Sequence, residues 1–375
     1  MKKRDILFIH ESLGGGGAER VLVSILANLP PDRYNITLLL ITGTGCFTDA
    51  VPENIEVITL FSSFRHIYSR MLLHCKPMMI HEMRRRALNA LKERSFDSIV
   101  SFMEGPSLRL HYELMHLGRL NCSWIHCNLK AHHWYRDWMS RALESEIYRR
   151  MDRVAFVSSG AKNAFEALFE VRATKTVIGN IQDKNHISER AAQYAPKPLP
   201  GVFRLVTVGR LVPVKRHELL LEAVSILRKK GYRIALDILG TGPREEELGR
   251  LAARLGIENN VCFRGFVSNP YPYIRHADLI CVTSESEGFS MVVAEALILG
   301  TPVLSTLVDG VTDMLALGGG IIVKGNAAAI AAEIAGLYDR PEKLKMLKDE
   351  AARSSRQFDL ETTMNTIEDF IGLRD

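Results

Sequence analysis

Residues 204–239 read RLVTVGRLVPVKRHELLLEAVSILRKKGYRIALDIL. The segment begins and ends with short runs of β-branched and aliphatic residues, over 204–208 and 234–239, which are typical of buried strands. A stretch of helical periodicity lies between them. A strand, a helix and a second strand in this order predict a βαβ unit, in which the two strands are parallel because the helix returns the chain to the same edge of the sheet.

The same alternation runs along most of the chain and predicts an α/β protein with two doubly wound parallel sheets. Short apolar runs alternate with helical segments in both halves. The candidate strands of the first half are 5–10, 35–42, 55–60, 98–102, 122–127, 153–158 and 176–180. Those of the second half are 204–208, 234–239, 261–264, 279–283, 302–305 and 320–323.

A polar interruption separates the two halves. Residues 181–201 contain three prolines near their end and have the composition of a linker. We therefore expect four parts, which are a first domain (1–185), a linker (186–200), a second domain (201–355) and a C-terminal helix (356–375). The last of these is expected to pack back on the first domain.

Composition excludes several classes of protein. The chain has 375 residues, of which 47% are apolar and 24% charged, so a disordered, collagenous or coiled-coil protein is excluded. No apolar run approaches the roughly 18 residues of a spanning helix, and the short run before His10 is too brief for a signal peptide. Six scattered cysteines without a CxxC pair suggest reduced thiols and no zinc. We expect a cytoplasmic protein.

The positive charge is concentrated in one segment. The formal net charge is +5, yet residues 63–94 alone carry eight Lys or Arg against two acids. Methionines are interleaved with these cations, which suits an anionic membrane face, although a solvated helix flank remains the alternative. Few aromatic residues accompany the cations, so nucleic acid is disfavoured. The cations expected at this membrane or acceptor surface are Arg65, Arg70, Lys76, Arg84, Arg85 and Arg86.

A glycine-rich loop follows the first strand. Residues 10–20 read HESLGGGGAER, so four glycines precede a helix that is expected to begin near Ala18. The free amides of such a helix start suit an anion. The loop lacks the third glycine of a dinucleotide fingerprint, and the second strand ends without an acid for a ribose hydroxyl, which disfavours nicotinamide binding. A flexible turn is the remaining alternative.

His126 follows the strand that begins at Cys122. Ligands of open parallel sheets bind outside the carboxyl ends of the strands, so this position favours function over the structural role that a lone histidine usually has. His132 and His133 follow without a carboxylate at ligand spacing, so no metal site is expected there.

Two cations follow the first strand of the second domain. Arg210 and Lys215 are five residues apart in the loop before a helix. An arginine binds phosphate through its planar fork and a lysine as a point charge, so the pair suits a diphosphate. Two solvated loop charges are the alternative.

The segment SESEGFSMVVAEA, residues 284–296, gives the strongest signal. A helix is expected to begin near Ser290, which leaves nearby amides free to face an anion. Glu287 lies in the loop, and Glu295, little more than one turn into the helix, can reach back. Carboxylates accept hydrogen bonds from vicinal hydroxyls, as in a sugar or ribose. The alternative is a capping acid and a solvated helix residue.

In order and spacing, four segments resemble the retaining glycosyltransferases of family 4. They are GGGGAER (14–20), WIH (124–126), VGRLVPVK (208–215) and EGFSMVVAEALILGTPV (287–303). The resemblance covers essentially the whole chain. It implies the GT-B fold, which consists of two facing Rossmann-like domains, the first for the acceptor and the second for the donor.

The resemblance also implies roles for individual residues. Arg210 and Lys215 would hold the donor diphosphate, Glu287 the sugar and Glu295 the ribose. His126 would line the reaction centre. Further donor contacts are expected from Gly16, Gly17, Gly209, Gly288, Phe289, Ser290 and Met291, with Arg264, Gly265 and Phe266 edging the nucleobase.

The implied reaction is transfer of a hexosyl unit from a UDP- or GDP-sugar to a glycan or lipid-linked acceptor, with retained configuration and without a cofactor or metal. Two segments depart from the family pattern, namely VDGVTD (308–313) and GNIQ (179–182). A nucleotide-sugar epimerase of GT-B fold and a non-catalytic nucleotide-sugar-binding protein are the alternatives. The acceptor chemistry and the basic segment together predict peripheral association with the inner face of the cell membrane.

Overall fold

The computed structural model describes residues 2–14, 16–62, 76–92, 94–131, 133 and 138–372. The chain forms two compact units. The first comprises Met1–Ile181 together with Leu360–Asp375, and the second comprises Gln182–Asp359. Each unit is built around one parallel sheet.

The first unit contains a seven-stranded sheet in the order β3-β2-β1-β4-β5-β6-β7. All of its neighbouring strands pair in parallel. The strand order reverses between β1 and β4, which is the topological switch point of this unit. The strands are β1 (Arg4–His10), β2 (Tyr34–Thr42), β3 (Glu56–Phe61), β4 (Phe96–Ser101), β5 (Gly118–Ile125), β6 (Arg153–Phe156) and β7 (Thr174–Val177).

The second unit contains a six-stranded sheet in the order β10-β9-β8-β11-β12-β13, and its neighbouring strands are also parallel. Its order reverses between β8 and β11. The strands are β8 (Phe203–Val208), β9 (Ile234–Leu239), β10 (Val261–Gly265), β11 (Leu279–Val282), β12 (Val303–Thr306) and β13 (Gly320–Val323).

Helices connect the strands, as parallel pairing requires. Within the described residues the first unit contains α1 (Gly17–Asn28), α2 (Lys76–Leu91), α3 (Pro106–Leu114), α4 (Arg141–Arg149) and α5 (Ser159–Glu166). The second unit contains α6 (Lys184–Ala191), α7 (His217–Lys229), α8 (Glu245–Leu255), α9 (Tyr271–Arg275), α10 (Met291–Ile298), α11 (Asp309–Leu315), α12 (Ala327–Tyr338) and α13 (Pro341–Ser354). A last helix, α14 (Leu360–Phe370), belongs to the first unit.

The two doubly wound sheets confirm the predicted fold class, and every predicted strand is present. The largest differences are in β5, which begins four residues before the predicted start, and β7, which ends three residues before the predicted end. Helix α12 begins after Asn326, whose side chain accepts a capping hydrogen bond of 2.9 Å from the Ala329 amide.

The structure places a helix inside the predicted linker. Helix α6 overlaps the segment 186–200 and belongs to the second unit. Its Ile187 and Ala191 are buried in the core beside Tyr271. Helix α6 has only two buried apolar residues, which lie four positions apart. The overall polar composition of the segment therefore gave no indication of this short amphipathic helix.

Helix α14 packs on the sheet of the first unit, as predicted. The Tyr34 hydroxyl donates a hydrogen bond of 2.7 Å to Glu368, and an Arg33 guanidinium nitrogen lies 3.0 Å from the same carboxylate. The ring of Phe370 lies 5.6 Å from that of the fully buried Trp124. A buried aromatic pair and a carboxylate shared by two donors therefore fix this helix.

None of the helices in the described part of the chain is long and apolar enough to cross a membrane. The five cysteines in the described part of the chain are free thiols.

Candidate functional site

The switch point of the second unit brings together the two loops with the strongest sequence motifs. The segment after β8 contains Arg210 and Lys215, and the segment after the neighbouring strand β11 contains Glu287. Hydrogen bonds of 2.8 Å join the loops, one from the Thr283 hydroxyl to the Lys215 carbonyl and one from the Glu285 amide to the Val214 carbonyl. The loops therefore form one structure at the crevice where open α/β sheets bind ligands.

Lys215 and Glu287 are in direct contact. The Lys215 ammonium donates a hydrogen bond of 2.6 Å to Oε1 of Glu287, and the Ser284 hydroxyl donates one of the same length to the same oxygen. Their side chains are 26% and 12% exposed, so the pair is largely shielded from water. Charge-assisted bonds in such a setting hold both groups in fixed positions.

Arg210 lies nearby without such a partner. Its side chain is exposed, and the guanidinium group makes neither a hydrogen bond nor an ion pair with any residue in the described ranges. The loop thus presents one fixed cation, Lys215, and one that remains available to a ligand. This arrangement suits an anion with more than one oxygen.

The start of α10 faces the same loop. Ser290 is the N-cap residue, and its side chain makes no capping hydrogen bond to the helix amides. A small pocket at this point is lined by Thr207, Val208, Lys215, His217, Val282, Thr283, Ser284, Glu287, Ser290 and Val292. Met291 begins the helix, and the half-buried Gly288 and Phe289 lead into it. An uncapped helix start beside Lys215 adds partial positive charge to the pocket.

The segment 308–313, which departs from the family pattern, packs against the backbone of Glu287 and Gly288. A Cβ added to Gly310 would lie 2.7 Å from the Glu287 carbonyl oxygen, so only glycine allows this approach. The Thr306 hydroxyl donates a hydrogen bond of 2.6 Å to the Ser284 carbonyl. The segment 306–310 therefore braces the motif loop despite its unusual sequence.

Glu295 occupies a different environment from Glu287. It is only 3% exposed, and the Tyr271 hydroxyl donates to its Oε1 at 3.4 Å. Neither Glu295 nor Arg210 is among the described residues that line the small pocket. The expected role of Glu295 in binding a ribose therefore stays a prediction.

Glycines bring the loop after β9 close to the loop after β8. Gly209 has φ +156°, and Gly240, with φ +141°, packs so closely that an added Cβ would overlap the Gly209 carbonyl. The Gly240 amide also donates a hydrogen bond of 2.8 Å to the Gly265 carbonyl. The need for glycine at position 240 cannot be read from the sequence, because it arises from close approach to the backbone of a distant segment.

The segment after β10 presents an exposed aromatic ring. Phe266 is 79% exposed, and the preceding Gly265 has φ +65°. The Arg264 guanidinium is held by Asp237 at 2.7 Å and lies 5.5 Å from the centre of the Tyr273 ring. Arg264 thus anchors this segment to the sheet, while Phe266 is free for stacking.

His217 is a site residue that the sequence interpretation did not select. It begins α7 and lines the small pocket, and its Nε2 lies 3.3 Å from the Arg210 carbonyl. Burial is the main cause that lowers its pKa. Its position shortly after Lys215 was the only indication in the sequence that it could be a site residue.

In the first unit, His126 lies just past the end of β5 in an aromatic environment. Its ring centre lies 4.5 Å from that of Phe102 and 6.1 Å from that of Trp124. Burial, together with the nearby His10, lowers the pKa of His126 to about 3. Its Nε2 is buried and has no hydrogen-bond partner within the described ranges. A neutral imidazole with an unused nitrogen can exchange a hydrogen bond with a hydroxyl group.

Two further residues support His126 and escaped the sequence interpretation. Glu104, which follows β4, accepts a hydrogen bond of 3.0 Å from the His126 amide. His10, at the end of β1, lies with Nδ1 2.9 Å from the Phe102 carbonyl, and burial lowers its pKa to about 4. Both lie at the carboxyl edge of the sheet, and this position is the only feature that could have indicated a functional role for them.

The glycine loop of the first unit leads into α1 as predicted. Gly16 is the N-cap and Gly17 the first helical residue, and no side chain caps the helix. The carboxylate of Glu19, in the first turn, lies where a side chain on Gly16 would be. An acid of the chain itself is therefore near the amides that were expected to face a ligand.

The basic segment is more neutralised than its sequence suggests. Arg85 and Arg86 each bind Glu82 at 2.7 Å, which lowers the pKa of that carboxyl to about 2. Arg84 instead lies 3.5 Å from Glu113 of α3. Lys76 begins α2, but the structure does not describe its side chain. Arg65 and Arg70 lie outside the described residues.

Two family descriptions match adjoining parts of the chain. Residues 15–183 match the model described as Glycosyltransferase Family 4, and residues 178–354 match the one described as Glycosyl transferases group 1. The two matches overlap at residues 178–183 and together span residues 15–354.

Relatives and solved structures agree with these matches. A putative glycosyltransferase EpsD of Bacillus subtilis (strain 168) is 31% identical over 169 residues, which is 44% of each chain. An N-acetylgalactosamine-N,N'-diacetylbacillosaminyl-diphospho-undecaprenol 4-alpha-N-acetylgalactosaminyltransferase of Campylobacter jejuni is 30% identical over 173 residues, 46% of each chain. The matched segments thus span less than half the length of these relatives.

The crystal structure of Anabaena HepE in complex with UDP superposes with a TM-score of 0.77 at 22% identity, covering 97% of this chain and 98% of that one. This similarity extends over both sheets and shows a common fold. With both family descriptions matched and the GT-B fold shared, the chain belongs to glycosyltransferase family 4.

Proposed function

We propose that this chain transfers a hexosyl unit from a nucleoside diphosphate sugar, either a UDP- or a GDP-sugar, to a glycan or lipid-linked acceptor. The transfer retains the anomeric configuration, uses no metal and serves the synthesis of cell-surface polysaccharide or glycolipid. The observation that carries the proposal is the contact of Lys215 with Glu287 at the switch point, beside the available Arg210 and the uncapped start of α10.

The donor site uses the charges of the second unit in two ways. Arg210 and Lys215 bind the diphosphate and stabilise the negative charge that develops on the leaving phosphate. When phosphate oxygens bind the Lys215 ammonium, Glu287 becomes available to accept hydrogen bonds from sugar hydroxyls. Ser284 continues to hold the carboxylate in place, since it donates to the same oxygen.

We propose the following bond changes. The bond between the anomeric carbon and the phosphate oxygen breaks with both electrons passing to the leaving nucleoside diphosphate. The acceptor hydroxyl oxygen attacks the same face of the sugar, and its proton passes to the departing phosphate oxygen. Departure and attack on one face retain the configuration without a carboxylate nucleophile, the alternative route to retention.

His126 contributes hydrogen bonding rather than charge. Because its pKa is lowered to about 3, its imidazole is neutral at physiological pH. The unused Nε2 then serves a hydroxyl of donor or acceptor. Glu104 fixes the backbone at this residue and so orients the ring.

The relatives support a lipid-linked acceptor and a uridine donor. The name of the Campylobacter protein specifies a diphospho-undecaprenol substrate, and the Anabaena structure contains UDP. The cations of α2 and the 59% exposed Met78 support peripheral membrane binding, whereas Met79 and Met83 of the same helix are buried in the core and do not contribute to such a surface.

A panel of nucleotide sugars, incubated with the protein in the presence and absence of lipid extract, tests the activity. Nucleotide release that depends on the extract is the expected result. Interconversion of the sugars without release would instead identify an epimerase, and binding with neither reaction a non-catalytic protein.

Sedimentation with liposomes tests the membrane component separately. We expect more protein to bind anionic than neutral vesicles, with the difference reduced by salt because surface charges are screened. Equal binding to both vesicle types would contradict peripheral association.

A further inference from the structure

The first unit contains a pocket of its own. It lies between α2, α3 and the start of α4. The described residues that line it are Pro77, Ile80, His81 and Arg84 of α2, Arg109 and Glu113 of α3, and Trp138 and Leu143. Helix α2 therefore contributes one stripe of residues, spaced three or four apart.

The polar side of this pocket has more cations than anions. Oε1 of Glu113 accepts a hydrogen bond of 2.6 Å from Arg109, and Oε2 lies 3.5 Å from Nε of Arg84. A single carboxylate thus serves two guanidinium groups. The charges of these three side chains sum to +1.

The pocket also has unused donors. Arg109 is only 9% exposed, and its buried Nε has no hydrogen-bond partner in the described part of the chain. The terminal nitrogens of Arg84, whose side chain is 47% exposed, are likewise not engaged by Glu113 through the contact seen here. Both carboxylate oxygens of Glu113 are already occupied. A ligand that satisfies this side of the pocket must therefore supply acceptor oxygens, as a phosphate does.

Apart from His81, the remaining walls are apolar. Pro77 and Ile80 face the pocket from α2, and Trp138 and Leu143 from the segment that leads into α4. Trp138 also packs against the core of the first unit, which fixes its position. A hydrocarbon chain gains the most binding free energy from contact with such walls.

The pocket lies toward the same edge of the sheet as His126. Helix α2 precedes a parallel strand, so its first turn, with Pro77, is near the carboxyl edge. Helix α3 leaves that edge, and Arg109 lies in its first turn. A ligand in the pocket would therefore have one end near the reaction-centre edge of this unit.

We propose that this pocket binds the phosphate of an amphiphilic, lipid-linked acceptor, with Arg84 and Arg109 on the phosphate and the hydrocarbon against Trp138, Ile80 and Leu143. The inference rests on the proposed transferase function and specifies its acceptor. It also gives the basic segment a defined contact, since Arg84 differs from its neighbours Arg85 and Arg86, which bind Glu82.

Calorimetric titration of the full chain with decyl phosphate, below its micellar concentration, tests the pocket directly. Decyl phosphate is expected to bind at least about tenfold more tightly than either 1-decanol or inorganic phosphate, because each of these lacks one of the two recognised parts. Arg84→Gln should weaken binding by about tenfold or more. Arg149→Gln is the matched control, since Arg149 is also paired with a glutamate, Glu146 at 3.2 Å, but lies outside the pocket.

Three results would overturn the proposal. They are equal affinity for 1-decanol, equal affinity for inorganic phosphate, and equal effects of the two substitutions. Because no donor or turnover is involved, this result is independent of the activity assay. Extract-dependent transfer that is indifferent to Arg84→Gln would refute the pocket alone. Arg84-dependent binding without transfer would refute the proposed reaction alone.

Discussion

The two units share one architecture but place opposite chemistry at their switch points. The second unit has Lys215 bonded to Glu287 there, with Arg210 beside them. The first unit has buried histidines, His10 and His126, whose pKa values are lowered to about 4 and 3. One edge therefore holds charged groups in fixed contact, whereas the imidazoles at the other are kept neutral by burial.

This difference shows what a doubly wound fold does and does not specify. Parallel strands deliver their following residues to one edge, whichever residues these are. The side chains then determine whether that edge attracts an anion or exchanges hydrogen bonds with hydroxyls. A nucleoside diphosphate suits the second unit, and an acceptor hydroxyl suits the first.

The largest expected effect is the loss of a cation from the second unit. Lys215→Ala and Arg210→Ala are each expected to reduce turnover by roughly a hundredfold or more, because one missing contact to developing charge costs about 2.7–4 kcal/mol. Steady-state kinetics with the preferred donor provide the measurement. Arg250→Ala, which removes an exposed cation bound to Glu246 on α8, is the control. Near wild-type turnover in either variant would show that the cation it lacks does not contribute to catalysis.

The next effect concerns the glycines that build this edge. Gly240→Ala should destabilise the second unit by about 1–3 kcal/mol through overlap with the Gly209 carbonyl, in addition to its unfavourable φ. Gly231→Ala is matched, since Gly231 has φ +87° but no atom within 4 Å of an added Cβ. Denaturant unfolding of both variants measures the difference. Equal losses would mean that backbone conformation, and not close approach, requires the glycine.

A smaller effect is expected at the rim of the second unit. Phe266→Ala should weaken binding of a nucleoside diphosphate by roughly tenfold, since stacking of one base on an aromatic ring contributes about 1–3 kcal/mol. The fold should persist because the ring is 79% exposed. Leu317→Ala, at 65% exposure, serves as the comparison. Unchanged nucleotide affinity in the Phe266 variant would place the base elsewhere.

The smallest effect is a difference in acid sensitivity between the units. His10, His111 and His126 of the first unit have pKa values lowered to about 4, 4 and 3 from 6.5. The unfolded chain therefore binds protons first as the pH falls below 6.5, and folding stability is lost by up to about 1.4 kcal/mol per pH unit for each histidine.

Two carboxyl groups of the same unit oppose this trend. Burial raises the pKa of Glu144 to about 7 and that of Glu11 above its usual value, so their folded forms gain protons. Hydrogen exchange at pH 7 and pH 5.5, corrected for intrinsic rates, should show the first unit losing protection before the second. Earlier loss in the second unit, where His217 alone has a lowered histidine pKa among the described residues, would contradict the comparison.

Local sequence patterns were sufficient for the sheets and for the position of the motifs. Runs such as 204–208 and 234–239 are buried strands because β-branched residues fill both faces of a covered parallel sheet. Helix α10 begins one residue after the predicted Ser290, since a strand end followed by a small residue marks a helix start. The same approach missed α6, whose buried face consists of only two apolar residues.

Contacts between distant segments could not be predicted in this way. Glu104 and His217 became site residues only when their neighbours were known, and the requirement for glycine at 240 depends on the Gly209 carbonyl. The run of three arginines on α2 also divides between two carboxylates, one of them from α3. Charge counted along the sequence therefore overstated the free charge of this surface.

The sequence by itself determined the two parallel sheets, the loops at their carboxyl edges and the residue types in those loops. These follow from periodicity and from motifs a few residues long. Only the tertiary structure decided which charges are paired and which are available, which imidazoles are neutral, and where a second pocket with surplus donors lies. Burial and pairing depend on residues far apart in the chain, such as Lys215 with Glu287, because packing alone brings them within hydrogen-bond distance.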